Sequence, residues 1–311
     1  MTDPGGPDPG EPVPGPGPPP SVAALAATFG LDPAGAEVVR AASRHVVRFP
    51  AAGIRTFATP APADGARAEA TVADLLAAAG VPAARRRAGP APVDGWSVTA
   101  WREVPGVDPD AEVGAEVLGG LARALHRATG ALDPRGLGRC DPVAAARAQL
   151  DLALPGEEVE VLRAAADRLE PAWRAAVDRA EDGPDADHPE QGGAVVHGDL
   201  HRGNVVVGTS GPVLVDLELA GWGPCAYDAA PTAAFVRWYD RPVADLEAFD
   251  AAYGGPLTGA ARAAGLDEVW ALWSAAWGVA NRHRSEAAAE EAAVRAATLA
   301  TGHAPRPWRL R

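Results

Sequence analysis

The chain has 311 residues, 47% of them apolar, so it can bury a core as one large domain or as two joined lobes. It contains no lysine: all 28 basic residues are arginine, which excludes a Walker A loop and Schiff-base lysine chemistry and leaves arginine for any site that binds phosphate with a side-chain cation. The formal charge of −13, with no basic stripe, argues against a nucleic-acid partner and suits a cationic small substrate.

Residues 1–20 hold nine Pro and five Gly, a composition that reads as a disordered tail. Glu37–Arg40 and Val46–Phe49 read as strands around a polar turn at Ala41–His45, and Ile54–Thr59 as a third strand after Pro50–Gly53. Residues 64–79 read as a helix, with Val72, Leu75, Leu76 and Ala79 on its apolar positions and Gly80 and Pro82 as its stop. Asp94–Gly95 is a hairpin turn leading into a strand at Trp96–Val104. The first region, closed by Pro105–Gly106, is therefore a small sheet with one helix. From Val113 onward the pattern is helical, with Val117, Leu118, Leu121 and Leu125 on one face. A long helix is expected over about 156–181, broken or kinked at Pro171. A polar loop at 183–193, a β-rich segment at 194–216 and further helix over 232–300 complete the chain. Trp270, Trp273 and Trp277 have helical spacing and read as core, Glu286, Glu290 and Glu291 as a solvated helix face, and Gly221-x-Gly223 as a plain loop. Cys140 and Cys225 supply neither a disulfide framework nor a metal cluster. No apolar run reaches the ~20 residues of a spanning helix, and the start of the chain lacks the features of a signal peptide. The expectation is a cytoplasmic protein without a membrane partner.

The chemistry is concentrated in residues 194–230, AVVHGDLHRGNVVVGTSGPVLVDLELAGWGPCAYDAA. Ala194–Val196 reads as a buried strand, His197–Arg202 as a polar loop, and Val205–Val207 with Val213–Val215 as two strands joined by a turn at Gly208–Gly211. Strand ends that converge on one edge bring together the groups just before Val205 and just after Val215. These are Asn204 and Asp216, whose hard oxygens suit Mg²⁺ rather than zinc. Asp199 precedes Asn204 on the same loop, and a carboxylate beside magnesium can orient and deprotonate a hydroxyl. A second arrangement uses His197, Asp199 and His201 as ligands of a hydrolytic metal, and leaves Asn204 and Asp216 without a role.

The wording HGDLHRGN followed by VDLE resembles the aminoglycoside phosphotransferase and choline kinase-like family, most specifically over 194–230. The resemblance implies an α+β, two-lobed protein-kinase-like fold. Its small N-terminal lobe and hinge would span 21–106 and its larger, mainly helical lobe 107–311. It implies a kinase moving the γ-phosphoryl of ATP or GTP to the hydroxyl of a small molecule, with Mg²⁺. Asp199 would be the catalytic base, Asn204 and Asp216 the magnesium ligands, and Glu218 an accompanying acidic position. Asp228 would hold the catalytic loop and His197 would brace it. In the smaller lobe Arg48 and Arg55 become candidate cations for the phosphates, Glu69 their helix partner, Ser43 a phosphate donor, and Trp101–Gly106 the hinge against the base. The turn Ala41–His45 lacks the Gly-rich loop of protein kinases, and arginine stands where that fold uses lysine. Those two departures point to the alternative, a pseudokinase-type binding protein without turnover. No motif names the acceptor or the oligomeric state.

Overall fold

Helix α1 (Val22–Phe29) begins where the Ser21 hydroxyl accepts the Ala24 N–H, which satisfies one of the unpaired donors of a first turn. The computed structural model describes residues 17–41, 45–60, 64–130, 137–182 and 192–309. Most of the expected N-terminal tail lies outside these residues, as does Ser43. The last residues of that tail, however, are part of the fold: the Gly17 carbonyl accepts the Trp96 indole N–H, and Pro20 is buried. The chain divides into two compact units, Met1–Arg67 with Arg86–Arg102, and Ala68–Arg85 with Glu103–Arg311.

The smaller unit is built on an antiparallel sheet of five strands in the order β1-β2-β3-β5-β4. The strands are β1 (Glu37–Ala41), β2 (His45–Phe49), β3 (Ile54–Pro60), β4 (Arg86–Val93) and β5 (Trp96–Arg102). Alternation decides its two faces. Val47, Phe49, Ile54, Ala58, Val98 and Ala100 are buried in one cluster with Leu25 and Ala26 of α1. Thr56 shares that interior because its hydroxyl donates to the Val47 carbonyl at 3.3 Å. The neighbouring row has the opposite parity: Arg48 pairs with Arg55, Arg55 with Trp101, and Trp101 with Arg86.

Helix α2 (Asp64–Ala78) spans the boundary between the units. The larger unit is mainly helical: α3 (Ala115–Thr129), α4 (Pro142–Leu152), α5 (Glu157–Glu181), α6 (Ala230–Trp238), α7 (Ala244–Tyr253), α8 (Leu257–Ala263), α9 (Leu266–Ala280) and α10 (Glu286–Thr301). Two short ladders interrupt the helices, β6 (Gly193–Val196) with β9 (Gly221–Pro224) and β7 (Val205–Gly208) with β8 (Gly211–Leu214). Helix α9 packs against α4, α5, α6 and α10 and is buried almost all round, from Leu266 to Val279.

Four expectations are corrected. Trp277, read as core, is exposed. Helix α5 runs unbroken through Pro171. A proline there removes one intrahelical hydrogen bond, and a buried stripe from Val159 through Leu162, Leu169 and Trp173 to Ala180 outweighs that loss. Gly221–Pro224 is a strand rather than a loop, because it completes the ladder with β6. Glu291 is 3% exposed rather than solvated. Residues 306–309 fold back over α10, where Glu291 accepts from Arg295, Arg306 and the Arg309 N–H at 2.8–3.1 Å. Burial works to raise the Glu291 pKa, but these donors outweigh it and hold the carboxyl below its ordinary value.

Phe49 is fully buried between α1 and the sheet. Phe49→Ala is expected to destabilise the smaller unit by about 3–5 kcal/mol, read as a lower denaturant midpoint.

Candidate active site

The β6–β9 ladder delivers the loop 197–204. Ala194, Val195 and Val196 are wholly buried, and the Val195 N–H is held by the Thr129 hydroxyl of α3 at 3.1 Å. Opposite Val196 stands Gly221, where a Cβ would sit 2.6 Å from the Gly138 carbonyl oxygen, so only glycine lets the 138–140 backbone lie against β9. The chain then turns at Gly198, with φ +81°, and a Cβ here would lie 2.6 Å from the Leu219 carbonyl oxygen and 3.1 Å from the Cys140 sulfur. Cys140 and Cys225 are free, buried thiols. Burial, aided by Asp228, Asp141 and Asp199, pushes the Cys140 thiol up, which keeps it protonated and inert under the loop.

Asp228 fixes the loop backbone. Its Oδ2 accepts the His197 N–H at 2.9 Å and its Oδ1 the Gly198 N–H at 3.0 Å, and the residue is 0% exposed. His126 of α3 adds its Nε2 to Oδ2 at 3.0 Å and reaches the Tyr253 hydroxyl through Nδ1 at 3.1 Å. Burial alone would depress the His126 pKa. The Cys225 sulfur and the Asp228 carboxylate outweigh it, and the imidazole is raised well above its ordinary value.

His197 ties the loop to the second ladder. Its Nε2–H donates to the Val215 carbonyl at 2.9 Å, which leaves Nδ1 to accept the Asp199 N–H at 3.3 Å. The β7–β8 register pairs Val205 with Leu214, and the Val215 N–H continues it onto the Asn204 carbonyl at 2.9 Å. Asn204 and Asp216 thus flank the same end of one hairpin. Asp216 is exposed and has φ +60°, a left-handed conformation that costs a non-glycine residue energy, though Asp less than most, and that Asp94 and Asp240 share. Glu218 lies two residues on, also exposed.

The Asn204 amide nitrogen donates to both the Asp199 carbonyl at 2.9 Å and Asp199 Oδ2 at 3.0 Å. These two acceptors identify the nitrogen, so the amide oxygen is the atom left for a cation. Asp199 Oδ1 accepts the Trp270 indole N–H at 2.7 Å. His201 accepts the Gly203 N–H on Nδ1 and turns Nε2 toward Asp199 Oδ2 at 3.4 Å. Burial would raise the Asp199 pKa. His201, the Trp270 N–H and His197 reverse this and hold the carboxyl below its ordinary value. Burial likewise lowers and Asp199 raises His201, whose net shift is upward. Asp199 is therefore an ionised acceptor near neutral pH.

Among the described residues, no cluster of three or more His, Cys, Asp or Glu has metal-binding geometry. His197, Asp199 and His201 accordingly do not form the hydrolytic site considered from sequence, for both His197 ring nitrogens are engaged in bracing the loop. Magnesium prefers hard oxygens, takes few protein ligands and completes its shell with phosphate and water. The Asn204 amide oxygen and Asp216 carboxylate meet that requirement.

In the smaller unit Arg48 and Arg55 lie directly opposite each other on β2 and β3, with Arg48 3.6 Å from Glu37. Glu69 lies half-buried on α2. In the expected hinge, Trp101 belongs to β5 and the Pro105 carbonyl accepts the Thr209 N–H at 3.0 Å. The sequence reading missed His126, whose signal is a histidine that follows the apolar stretch Leu118–Leu125 on the buried face of α3. It read Trp270 as core packing before an acceptor-pocket wall, and not as a hydrogen-bond partner of Asp199.

The profile of the phosphotransferase enzyme family APH matches residues 36–269. No curated protein sequence matches the chain. A solved microcompartment-associated aminopropanol kinase superposes with a TM-score of 0.62 at 19% identity, over 90% of this chain and 94% of its own. Amicoumacin kinase hAmiN, solved with AMP-PNP, Ca²⁺ and Ami, gives 0.59 at 14%, over 90% and 92%. Aminoglycoside phosphotransferase APH(3'')-Id from Streptomyces rimosus ATCC10970, solved with ADP and streptomycin, gives 0.57 at 21%, over 82% and 97%. The fold is α+β, two-lobed and protein-kinase-like. No helix among the described residues is long and apolar enough to cross a membrane.

His126 carries a testable consequence. A group whose pKa is raised by folding stabilises the native state below its unfolded value, and that stabilisation is lost as pH rises through the folded value. The stability gap between wild type and His126→Gln is expected to be widest below about pH 6.5 and to narrow in alkaline solution, measured by urea unfolding across pH. An unchanging gap would contradict the charged pairing with Asp228.

Proposed function

Because this chain belongs to the APH phosphotransferase enzyme family, we propose that it transfers the γ-phosphoryl of ATP or GTP to a hydroxyl group of a small molecule. The observation that carries this reading is the Asn204 amide, which bonds Asp199 on one side and shares a hairpin end with Asp216 on the other. The loop and the hairpin end thereby offer an ionised carboxylate for an acceptor hydroxyl and two oxygens for a cation.

In the proposed reaction the acceptor hydroxyl donates its hydrogen bond to Asp199. Its oxygen attacks the γ-phosphorus in line, and the bond from that phosphorus to the β–γ bridging oxygen breaks. The nucleoside diphosphate leaves with the electron pair, and the hydroxyl proton passes to Asp199 and on to solvent. The transition state is loose, so a weakly basic, well-oriented carboxylate suffices. Asn204 and Asp216 would hold Mg²⁺, which supplies neutralisation of phosphate charge. Arg48 and Arg55 are the cations we assign to the nucleotide phosphates. Asp228 and His197 keep the loop in register, and Glu218 adds negative charge beside Asp216.

The acceptor class is small and hydroxylated, and the charge of −13 suits a cationic one. Solved structures that share this fold include an aminopropanol kinase, a kinase solved with AMP-PNP and Ca²⁺, and a phosphotransferase solved with ADP and streptomycin. We assign the activity to the cytoplasm, which supplies the nucleotide.

Thermal unfolding with and without MgATP tests the reading. At about 100 times Kd the ligand adds about 2.7 kcal/mol, a rise of several degrees in the midpoint. Asp216→Ala is expected to abolish the magnesium-dependent part of that rise. Asp199→Ala is expected to keep the rise and lower turnover by about 10²–10⁴. No rise with either ATP or GTP would refute the proposal. A rise without turnover on any acceptor, water included, would favour the pseudokinase-type alternative.

A further inference from the structure

Asp199 is gripped by a residue 71 positions away in the chain. Trp270 sits on α9, and its indole N–H donates to Asp199 Oδ1 at 2.7 Å. The indole is 3% exposed. Its ring lies 5.5 Å from that of Phe235 and 6.3 Å, edge-on, from that of His201. The helix beneath it is largely enclosed, packed by α4, α5, α6 and α10. A donor mounted so rigidly fixes a direction as well as filling a lone pair.

The other carboxylate oxygen is also held. Oδ2 takes the Asn204 amide at 3.0 Å, from within the loop itself. His201 Nε2 lies against the same oxygen at 3.4 Å, and donors on both oxygens stop rotation about the Cβ–Cγ bond. A carboxylate has about four lone-pair positions; with the Asn204 amide and His201 Nε2 both directed at Oδ2, the capacity left for an acceptor hydroxyl is on Oδ1, aimed by the indole. The two donors differ in origin: Asn204 moves with the loop, whereas Trp270 refers Asp199 to the helical core.

We propose that Trp270 is a positioning residue for phosphotransfer, its indole N–H clamping the Asp199 carboxylate so that a free lone pair is directed at the acceptor hydroxyl. This role rests on the phosphotransferase reading given above. Packing alone would be served by phenylalanine. The N–H is what phenylalanine lacks, and near-attack geometry is sensitive to displacements of about 1 Å.

The test uses full-length protein, MgATP and water as the acceptor. Trp270→Phe is expected to lower kcat for hydrolysis by about tenfold to a hundredfold while KM for MgATP stays within about twofold. Trp270→His, which keeps a ring N–H, is expected to recover part of that loss. Trp273→Phe removes the same indole from a second buried position on α9 and is expected to leave kcat within about twofold. In a ¹H–¹⁵N spectrum the indole signal missing from Trp270→Phe identifies Trp270, and it is expected to shift in Asp199→Ala. An indole signal that ignores Asp199→Ala overturns the clamp whatever the activity. Trp270→Phe with wild-type kcat and intact MgATP stabilisation overturns the positioning role alone, as does an equal loss in Trp273→Phe. A wild type that neither takes up nor hydrolyses MgATP overturns the phosphotransferase reading and this role with it.

Discussion

The Asp228 carboxylate is wholly buried, and it is tolerated there because three N–H donors converge on its two oxygens. An ionised carboxylate stripped of water is costly unless its lone pairs are met. Here two donors are consecutive backbone amides of the loop, at His197 and Gly198, and the third is the His126 imidazole. The constraint works in both directions. The charge needs those amides, and the amides, buried at the end of β6, need an acceptor that no strand provides. The loop backbone is thereby fixed before any ligand arrives. The positions of Asp199 and Asn204 follow from it.

From that anchor the site is assembled by short-range devices. Gly198 turns through a left-handed conformation against Leu219 and Cys140. His197 spans to the Val215 carbonyl, so loop and hairpin share one reference. The β7–β8 register then carries Asn204 and Asp216 to the same end. The left-handed Asp216 is the strained member of the set, and its strain is sustained by the paired strand on one side and the buried Leu217 on the other. Helices supply what the loop cannot supply for itself: α3 gives His126 and Thr129, and α9 gives Trp270.

Much of this was legible in the residues. HGDLHRGN with a downstream Asp216 has a spacing that one loop and one hairpin can satisfy, so the identity of the cluster follows from local chain geometry. The hairpin signal at Asp94–Gly95 and the polar turn before Val46 likewise marked strands that formed. Other features were hidden for a physical reason. Pro171 forbids one hydrogen bond, and only the packing of α5 shows that the helix survives it. Gly221 and Gly223 look like loop residues until β6 lies beside them. Glu291 belongs to an alanine-rich helix with exposed neighbours, and its burial comes from a segment some fifteen residues later, at Arg306.

The sequence by itself determined the chemistry available and the local frame that holds it. A lysine-free chain has arginine as its fixed side-chain cation for any phosphate. Asp199, Asn204 and Asp216 fall within one strand–loop–hairpin whose period and turns are set by neighbouring residues, because strand alternation and turn preferences act over a few positions. Tertiary structure alone decided which distant groups tune that frame. His126 meets Asp228 and Trp270 meets Asp199 across 102 and 71 residues. No periodicity encodes such pairs: they exist only after helices have packed, when burial leaves each donor one place to find an acceptor.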